Sequence, residues 1–575
     1  MRSYRRFVIT IAILAALWLL IAQFTDTELE VESGTTLLFD LSGVFVEAAE
    51  PSMVARLMGD SSRPFASVIS ELRKAERDDR LAVVILRIRD LGIGWGKAQE
   101  LRSAIRALDA AGRRTIAYVE LSSLSGNLEY FVASAASEVH SSPANAGSLI
   151  GLAAEFFFFG GMWEKLGVGI EVEGIGEYKS AGEMLSGREM SEAHREMANS
   201  LLDSTNEQFI AGIAEGRGLT PNAVQRAIDA APGSPTELRE LKLIDRIAHF
   251  DEIVDMLGDA PLICSEEYAS VDAAQVGFEP KARFALVYGS GNVVMGSGSR
   301  SPTGAPRLTS DTVSKALENA AEDDDIDAII FRIDSPGGSP LAAEIVWRAV
   351  EIAKQSGKPL VASFSDVAAS GGYYAACGAD AIVAPAASLV GSIGVFAMRP
   401  VLAGLFEKLD IGVETLTRGA HAELLLSSQP LTESGRALLL REITSTYALF
   451  KERVGVGRGL DPESVEAVAR GRVWTGAQAL EIGLIDAVGG LREAAMIAKE
   501  RAGLEPDDDV ALIPFPKPRT LVEQLADSLQ LVSVQRFSLF SEFGPGLAVV
   551  DQWIAALAEG VGSPQLLPPF LVEIH

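Results

Sequence analysis

The sequence repeats itself, and that repeat restricts the possible folds more than any other feature. Leu81-Ala-Val-Val-Ile-Leu-Arg-Ile88 is answered by Ile326-Asp-Ala-Ile-Ile-Phe-Arg-Ile333, 245 residues further on. Thr115-Ile-Ala-Tyr-Val119 returns as Leu360-Val-Ala-Ser-Phe364, and Ser125-Gly126 as Ser370-Gly371, at the same offset. The offset then drifts. Glu164-Lys165-Leu166 matches Glu407-Lys408-Leu409 at 243, and Leu243-Ile244-Asp245 matches Leu484-Ile485-Asp486 at 241. An ordered series with slowly changing spacing marks a tandem duplication, so one architecture must be built twice.

Each copy carries an apolar, β-branched strand pattern, a helical pattern and another apolar strand, as at 326–333, 341–355 and 360–364. Continuous apolar strands alternating with amphipathic helices predict an α/β fold with a parallel sheet covered on both faces. Right-handed crossovers would stack the βα units as a superhelix. Longer helical patterns follow at 190–215 and 433–454. The copies are expected at 36–257 and 283–502. Residues 258–282 lack periodicity and suit a linker, and 503–575 read as an irregular tail.

The formal charge of −28, with no basic stripe, excludes a nucleic-acid binder. Two cysteines, Cys264 and Cys377, cannot make a disulfide framework or a four-ligand zinc site. They read best as free thiols, and no metal or other cofactor is expected. At the amino terminus, Arg2, Arg5 and Arg6 precede an uncharged apolar run of 18 residues, from Phe7 to Phe24. That length is at the short end for a transmembrane helix. A cleaved signal peptide is the alternative, but Ile21-Ala22-Gln23-Phe24 supplies no small-x-small site. The arginines would keep 1–6 in the cytoplasm, so everything after a membrane anchor at 7–24 would lie outside it.

Four short segments carry the chemistry. Ser335-Pro-Gly-Gly338 sits where a strand gives way to a helix, and paired glycines there can present outward backbone N–H groups. An ordinary turn would look the same. Ala369-Ser370-Gly371-Gly372-Tyr373 follows a strand, and its small neighbours leave the serine hydroxyl reachable. The serine could equally cap a helix. Gly391-Ser392-Ile393-Gly394 by itself says only turn, and the lysine of Tyr178-Lys179-Ser180-Ala181 by itself says only surface charge.

Taken together, these segments resemble the signal peptide peptidase A family in its long, duplicated form, over about residues 36–502. The resemblance implies a fold related to Clp protease and crotonase. It also implies a Ser/Lys dyad with Ser370 as nucleophile and Lys179 as general base. Ser392 would orient the lysine, and Gly337 or Gly338, with Gly371, would form the oxyanion hole. The duplication sharpens this reading. The first copy matches Ser370 with Ser125, but Asp90-Leu-Gly-Ile-Gly-Trp95 replaces the Ser-Pro-Gly-Gly turn. In the second copy the position of Lys179 falls on Ala422. Each half lacks what the other has, so a complete site must form across the copies, within one chain or between neighbours.

None of the five histidines, His140, His194, His249, His421 and His575, lies in a motif suited to a base. No Gly-x-Ser-x-Gly elbow or His-Glu-x-x-His pair is present. A lysine with the ordinary pKa of about 10.4 would stay protonated near neutrality. An apolar pocket can lower that value by roughly 3–5 units and free the amine to accept a proton.

The resemblance implies an endopeptidase on the extracytoplasmic side of a bacterial inner membrane. It would digest cleaved signal peptides and similar apolar segments, and would assemble as a homo-oligomeric ring. Residues 156–159, four phenylalanines, are a candidate groove wall or simply core. A crotonase-like protein without proteolysis, or an inactive scaffold, is the rival reading.

Overall fold

Both copies are organised on a parallel sheet in the computed structural model, which describes residues 30–47, 63–301 and 305–516. The expected anchor at 7–24 and its cytoplasmic flank lie outside these residues, as does the tail beyond 516. Among the described residues no helix is long and apolar enough to cross a membrane.

In the first copy, β1 (Thr35–Val46), β2 (Leu81–Gly92), β3 (Arg114–Val119) and β4 (Glu138–Ser141) lie side by side in that order, all parallel. Helices α1 (Phe65–Arg77), α2 (Trp95–Ala110) and α3 (Asn127–Ala133) connect them. Val84, Ile85 and Leu86 are consecutive in β2 and all fully buried. Burial on both faces explains the unbroken apolar runs. The copy then adds β5 (Gly169–Ile175) and the long α4 (Glu192–Arg217), whose Ser191 caps the His194 N–H.

The second copy repeats the pattern with β6 (Pro280–Ser290), β7 (Ala328–Ser335), β8 (Leu360–Ala369) and β9 (Ala381–Ala384), again in order and parallel. Beyond β8's far end come β10 (Leu389–Gly391), β11 (Val395–Val401) and β12 (Val473–Thr475). Helix α5 (Ser310–Glu322) precedes β7, α6 (Pro340–Lys354) follows it, and α7 (Gly371–Ala376) follows β8. Helix α8 (Glu433–Arg458) is the counterpart of α4.

Two segments expected to be irregular contain strands. Leu262–Cys264, within the expected linker, pairs in parallel with β1, and β13 (Asp509–Phe515), within the expected tail, pairs in parallel with β6. They are the same outer strand of each copy. The first is too short to show a period. The second contains Pro514, which an edge strand tolerates because its missing N–H leaves no ladder bond unmade.

The copies are joined by an antiparallel pair. β5 of the first and β11 of the second run together from Val395 opposite Ile175 to Val401 opposite Gly169. Helix α4 also reaches across, packing Met197 and Leu201 on Val473 of β12. These two contacts bring the end of β5 to the C-terminal edge of the second sheet.

Candidate active site

Ser370 occupies the sharp corner between β8 and α7, with φ 53° and ψ −117°. An L-residue in that region costs about 1–3 kcal/mol, and its surroundings must hold it there. Its N–H donates to the Gly391 carbonyl at 2.7 Å, and its own carbonyl accepts from Tyr374 N–H at 2.8 Å. Gly372 must be glycine, because a Cβ there would come within 2.7 Å of the Ser335 carbonyl oxygen.

The Ser335-Pro-Gly-Gly turn closes over this corner. Gly337 and Gly338 have φ of 109° and 150°, open to glycine alone without strain. Val293 pins the turn from behind: its N–H donates to Gly337 O and its carbonyl accepts from Ser339 N–H, both at 2.8 Å. The Gly337 N–H is committed to Ser335 Oγ at 3.2 Å. A Cβ built on Gly371 would lie 3.1 Å from Gly338 N, so these two backbones are in close contact. Among the described residues, neither the Gly338 nor the Gly371 N–H has an acceptor.

Lys179 arrives from the other copy, just past β5. Tyr178 N–H donates to Arg470 O at 3.0 Å, docking the segment on residues 470–472. Gly471, at φ 80°, fits so closely that a Cβ there would lie 2.5 Å from Lys179 Cβ. The same stretch holds the third partner, since Ser392 N–H donates to Arg472 O at 2.8 Å. As a result, Lys179 Nζ lies 2.8 Å from Ser370 Oγ, 2.8 Å from Ser392 Oγ and 3.0 Å from Ser392 O. All of this happens within one chain, between residues 191 positions apart.

The lysine is only 7% exposed, and burial alone drives its pKa well below the ordinary lysine range. Among the described residues no carboxylate touches it. Arg470 and Arg472 point outward instead, pairing with Glu177 at 3.2 Å and Glu196 at 2.7 Å.

The counterpart positions look different. Ser125 is not in the left-handed region, and its Oγ accepts from Asn127 Nδ2 at 3.2 Å. Ala422 opens a short turn, Ala422–Leu425, with no amine to offer. His140 and His194 face the carboxylates of Glu138 and Glu183 at 3.0 and 3.2 Å. Of the phenylalanine run, Phe156 packs on the cluster of Met197, Leu201 and Val473, Phe159 on that of Ala181 and Phe396, and Phe157 is half exposed.

Sequence reading missed Gly471, whose signal is a lone glycine between two arginines. It also missed a buried ionic cluster behind the Ser335-Pro-Gly-Gly turn. There Arg332 bonds Glu47 at 3.0 Å and Glu100 at 2.6 Å, and Lys97 pairs with Asp334 and Asp366.

Residues 107–260 and 352–505 both match peptidase family S49, once in each copy. The chain belongs to peptidase family S49. This S49 peptidase is 35% identical to the chloroplastic serine protease SPPA of Arabidopsis thaliana, over 79% of this chain and 68% of that protein. It is 28% identical to Protease 4 of Haemophilus influenzae, over 77% of this chain and 74% of the relative. For Protease 4 of Salmonella typhi the identity is 25%, over 87% and 83%. It is therefore a serine-type protease with a duplicated peptidase domain.

Proposed function

We propose that this S49 peptidase is a Ser/Lys endopeptidase with Ser370 as nucleophile and Lys179 as general base. The observation that carries the reading is the 2.8 Å approach of Nζ to Ser370 Oγ in a buried, carboxylate-free setting. A neutral amine has two N–H groups and one lone pair. The N–H groups are directed to Ser392 O and Oγ, which leaves the lone pair for the Ser370 hydroxyl proton. Ser392 thus fixes the direction in which the base works.

Lys179 takes that proton as Oγ attacks the peptide carbonyl. The resulting oxyanion fits between the N–H groups of Gly338 and Gly371, while the Gly337 N–H is already spoken for. The ammonium gives its proton to the leaving amine as the C–N bond breaks, leaving an acyl ester on Ser370. Water, deprotonated by the same amine, attacks the ester and regenerates the serine.

The substrate reading is a cleaved signal peptide or a similar apolar segment, supported by Phe156, which packs on the same cluster as Tyr178, and by Phe159, which packs on that of Ala181. The run Phe7 to Phe24 supports a membrane anchor, with the catalytic part on the extracytoplasmic side. Self-assembly into a ring has support in the repeat frame. The counterparts of β11 and β5 are residues 152–158 and 412–418, and neither segment is a strand in the lone chain. Phe157 and the 94%-exposed Leu416 lie on them.

A serine-directed fluorophosphonate tests the dyad. Labelling is expected in the wild type and absent in Ser370→Ala and Lys179→Ala with the fold intact. Labelling that survives Lys179→Ala removes the lysine from the mechanism.

A further inference from the structure

The turn that lost Ser-Pro-Gly-Gly in the first copy has a different task. Gly94 and Gly96 lie against β8 of the second copy, where Cβ atoms on them would come within 2.5 Å of the Asp366 carboxyl and 2.7 Å of Ser365 O. Asp366 caps α2 from across the seam, accepting from Gly94 N–H at 3.1 Å and Lys97 N–H at 2.9 Å. Lys97 Nζ then spans the gap, 2.6 Å from Asp334 Oδ2, 2.7 Å from Asp366 Oδ2 and 3.3 Å from Glu47 Oε1.

Those carboxylates stand at an irregularity in the sheet. The β7–β8 pairing runs regularly to Ile333 opposite Phe364, then slips so that Ser335 faces Ala368. In the gap the ladder is replaced by a side chain, with Asp334 Oδ1 accepting from Val367 N–H at 3.1 Å. This slip sets where the turn lies relative to Ser370, two residues beyond Ala368. Asp334 also begins the turn, and its carbonyl accepts from Gly291 N–H at 2.8 Å. Without a cation between them, Asp334 and Asp366 would repel across the slip and open it.

We infer that Lys97 is a positioning residue for catalysis, holding the oxyanion turn and the Ser370 corner in register from the opposite copy. It touches no reacting atom and acts through Asp334 and Asp366. This role rests on the dyad reading above.

The test uses the full chain and a fluorogenic peptide. Lys97→Met is expected to lower kcat about 10- to 100-fold, by displacing oxyanion donors rather than deleting them. KM and the pH midpoint set by Lys179 should stay in place, and Lys97→Arg should restore part of kcat. A folded Lys97→Met with wild-type kcat overturns the inference, as does an equal fall in activity at every step caused only by lost folded protein. If Lys97→Met does not fold, Lys97→Gln carries the test, because its amide keeps a hydrogen-bond donor beside Asp334 and Asp366 while removing the cation. The same kcat loss is expected there, and normal turnover refutes the role. Ser370→Ala and Lys179→Ala run alongside. Activity in either of these sinks the dyad itself, whereas dead dyad variants beside a normal Lys97→Met sink only the present inference.

Discussion

Lys179 and Lys97 both come from the first copy, both are buried at the seam, and their pKa values move in opposite directions. Among the described residues Lys179 meets two serines and no carboxylate, so burial takes its pKa well below the usual lysine value. Burial acts on Lys97 too, but Asp334, Asp366 and Glu47 more than offset it and hold its pKa well above that value. The difference shows that depth alone does not make a base. The neighbours decide whether a buried amine keeps its proton.

The strongest way to break the contrast is to remove the uncharged amine. Lys179→Ala should cut turnover of a peptide substrate by about 10³-fold or more, in the upper range for a lost general base. Lys179→Arg should not rescue it, since guanidinium stays protonated. Next, Ser392→Asp would give Lys179 the kind of company that Lys97 has. The alkaline-going limb of the kcat/KM profile should move up by about a unit or more, with a matching loss at neutral pH. Wild-type activity itself should rise with pH through a midpoint below the ordinary lysine range, because only the deprotonated amine works.

Gly471→Ala sharpens the geometric side. With φ at 80° and Lys179 Cβ 2.5 Å from the new methyl, the lysine must shift. A fall in kcat of about 10-fold is expected, given how steeply rate depends on placement. A smaller signal lies in stability. The folded chain holds Lys179 neutral where the unfolded chain holds it charged, so the unfolded state binds more protons between the lowered pKa and about 10.4. Across that window, denaturant titrations should show wild type gaining stability relative to Lys179→Met as pH rises. Each unit of depression is worth about 1.4 kcal/mol. Smallest of all, Ser125→Ala should leave turnover unchanged, since that hydroxyl stands apart from any amine.

Much of this was legible in the sequence. The offset of 245 exposed the duplication, and the apolar runs around 83–88 and 328–333 read directly as doubly covered strands. Ser370, Lys179, Ser392 and the glycines were singled out only by the family resemblance that their segments carry together, and they lie in one place. Whether they met in one chain could not be read, because that depends on β5 finding β11, a pairing with no local pattern. Lys97 was invisible for a related reason. Its partners lie 237 and 269 positions away, and a lone lysine early in a helix looks like surface charge. The turn around it read as a loss because a repeat frame registers what a copy no longer has. What it has gained appears only when the opposing copy is in view. The outer strands at 262–264 and 509–515 were hidden by brevity and by a proline.

The seam between the copies has a consequence for the timing of synthesis. A ribosome delivers Lys179 well before Ser370, and the 470–472 platform that seats the lysine begins 100 residues after the serine. The edge strand Asp509–Phe515 comes later still. A chain not yet made past residue 472 therefore cannot hold the assembled groups, and Lys179 and Ser370 cannot come together until both copies have been made.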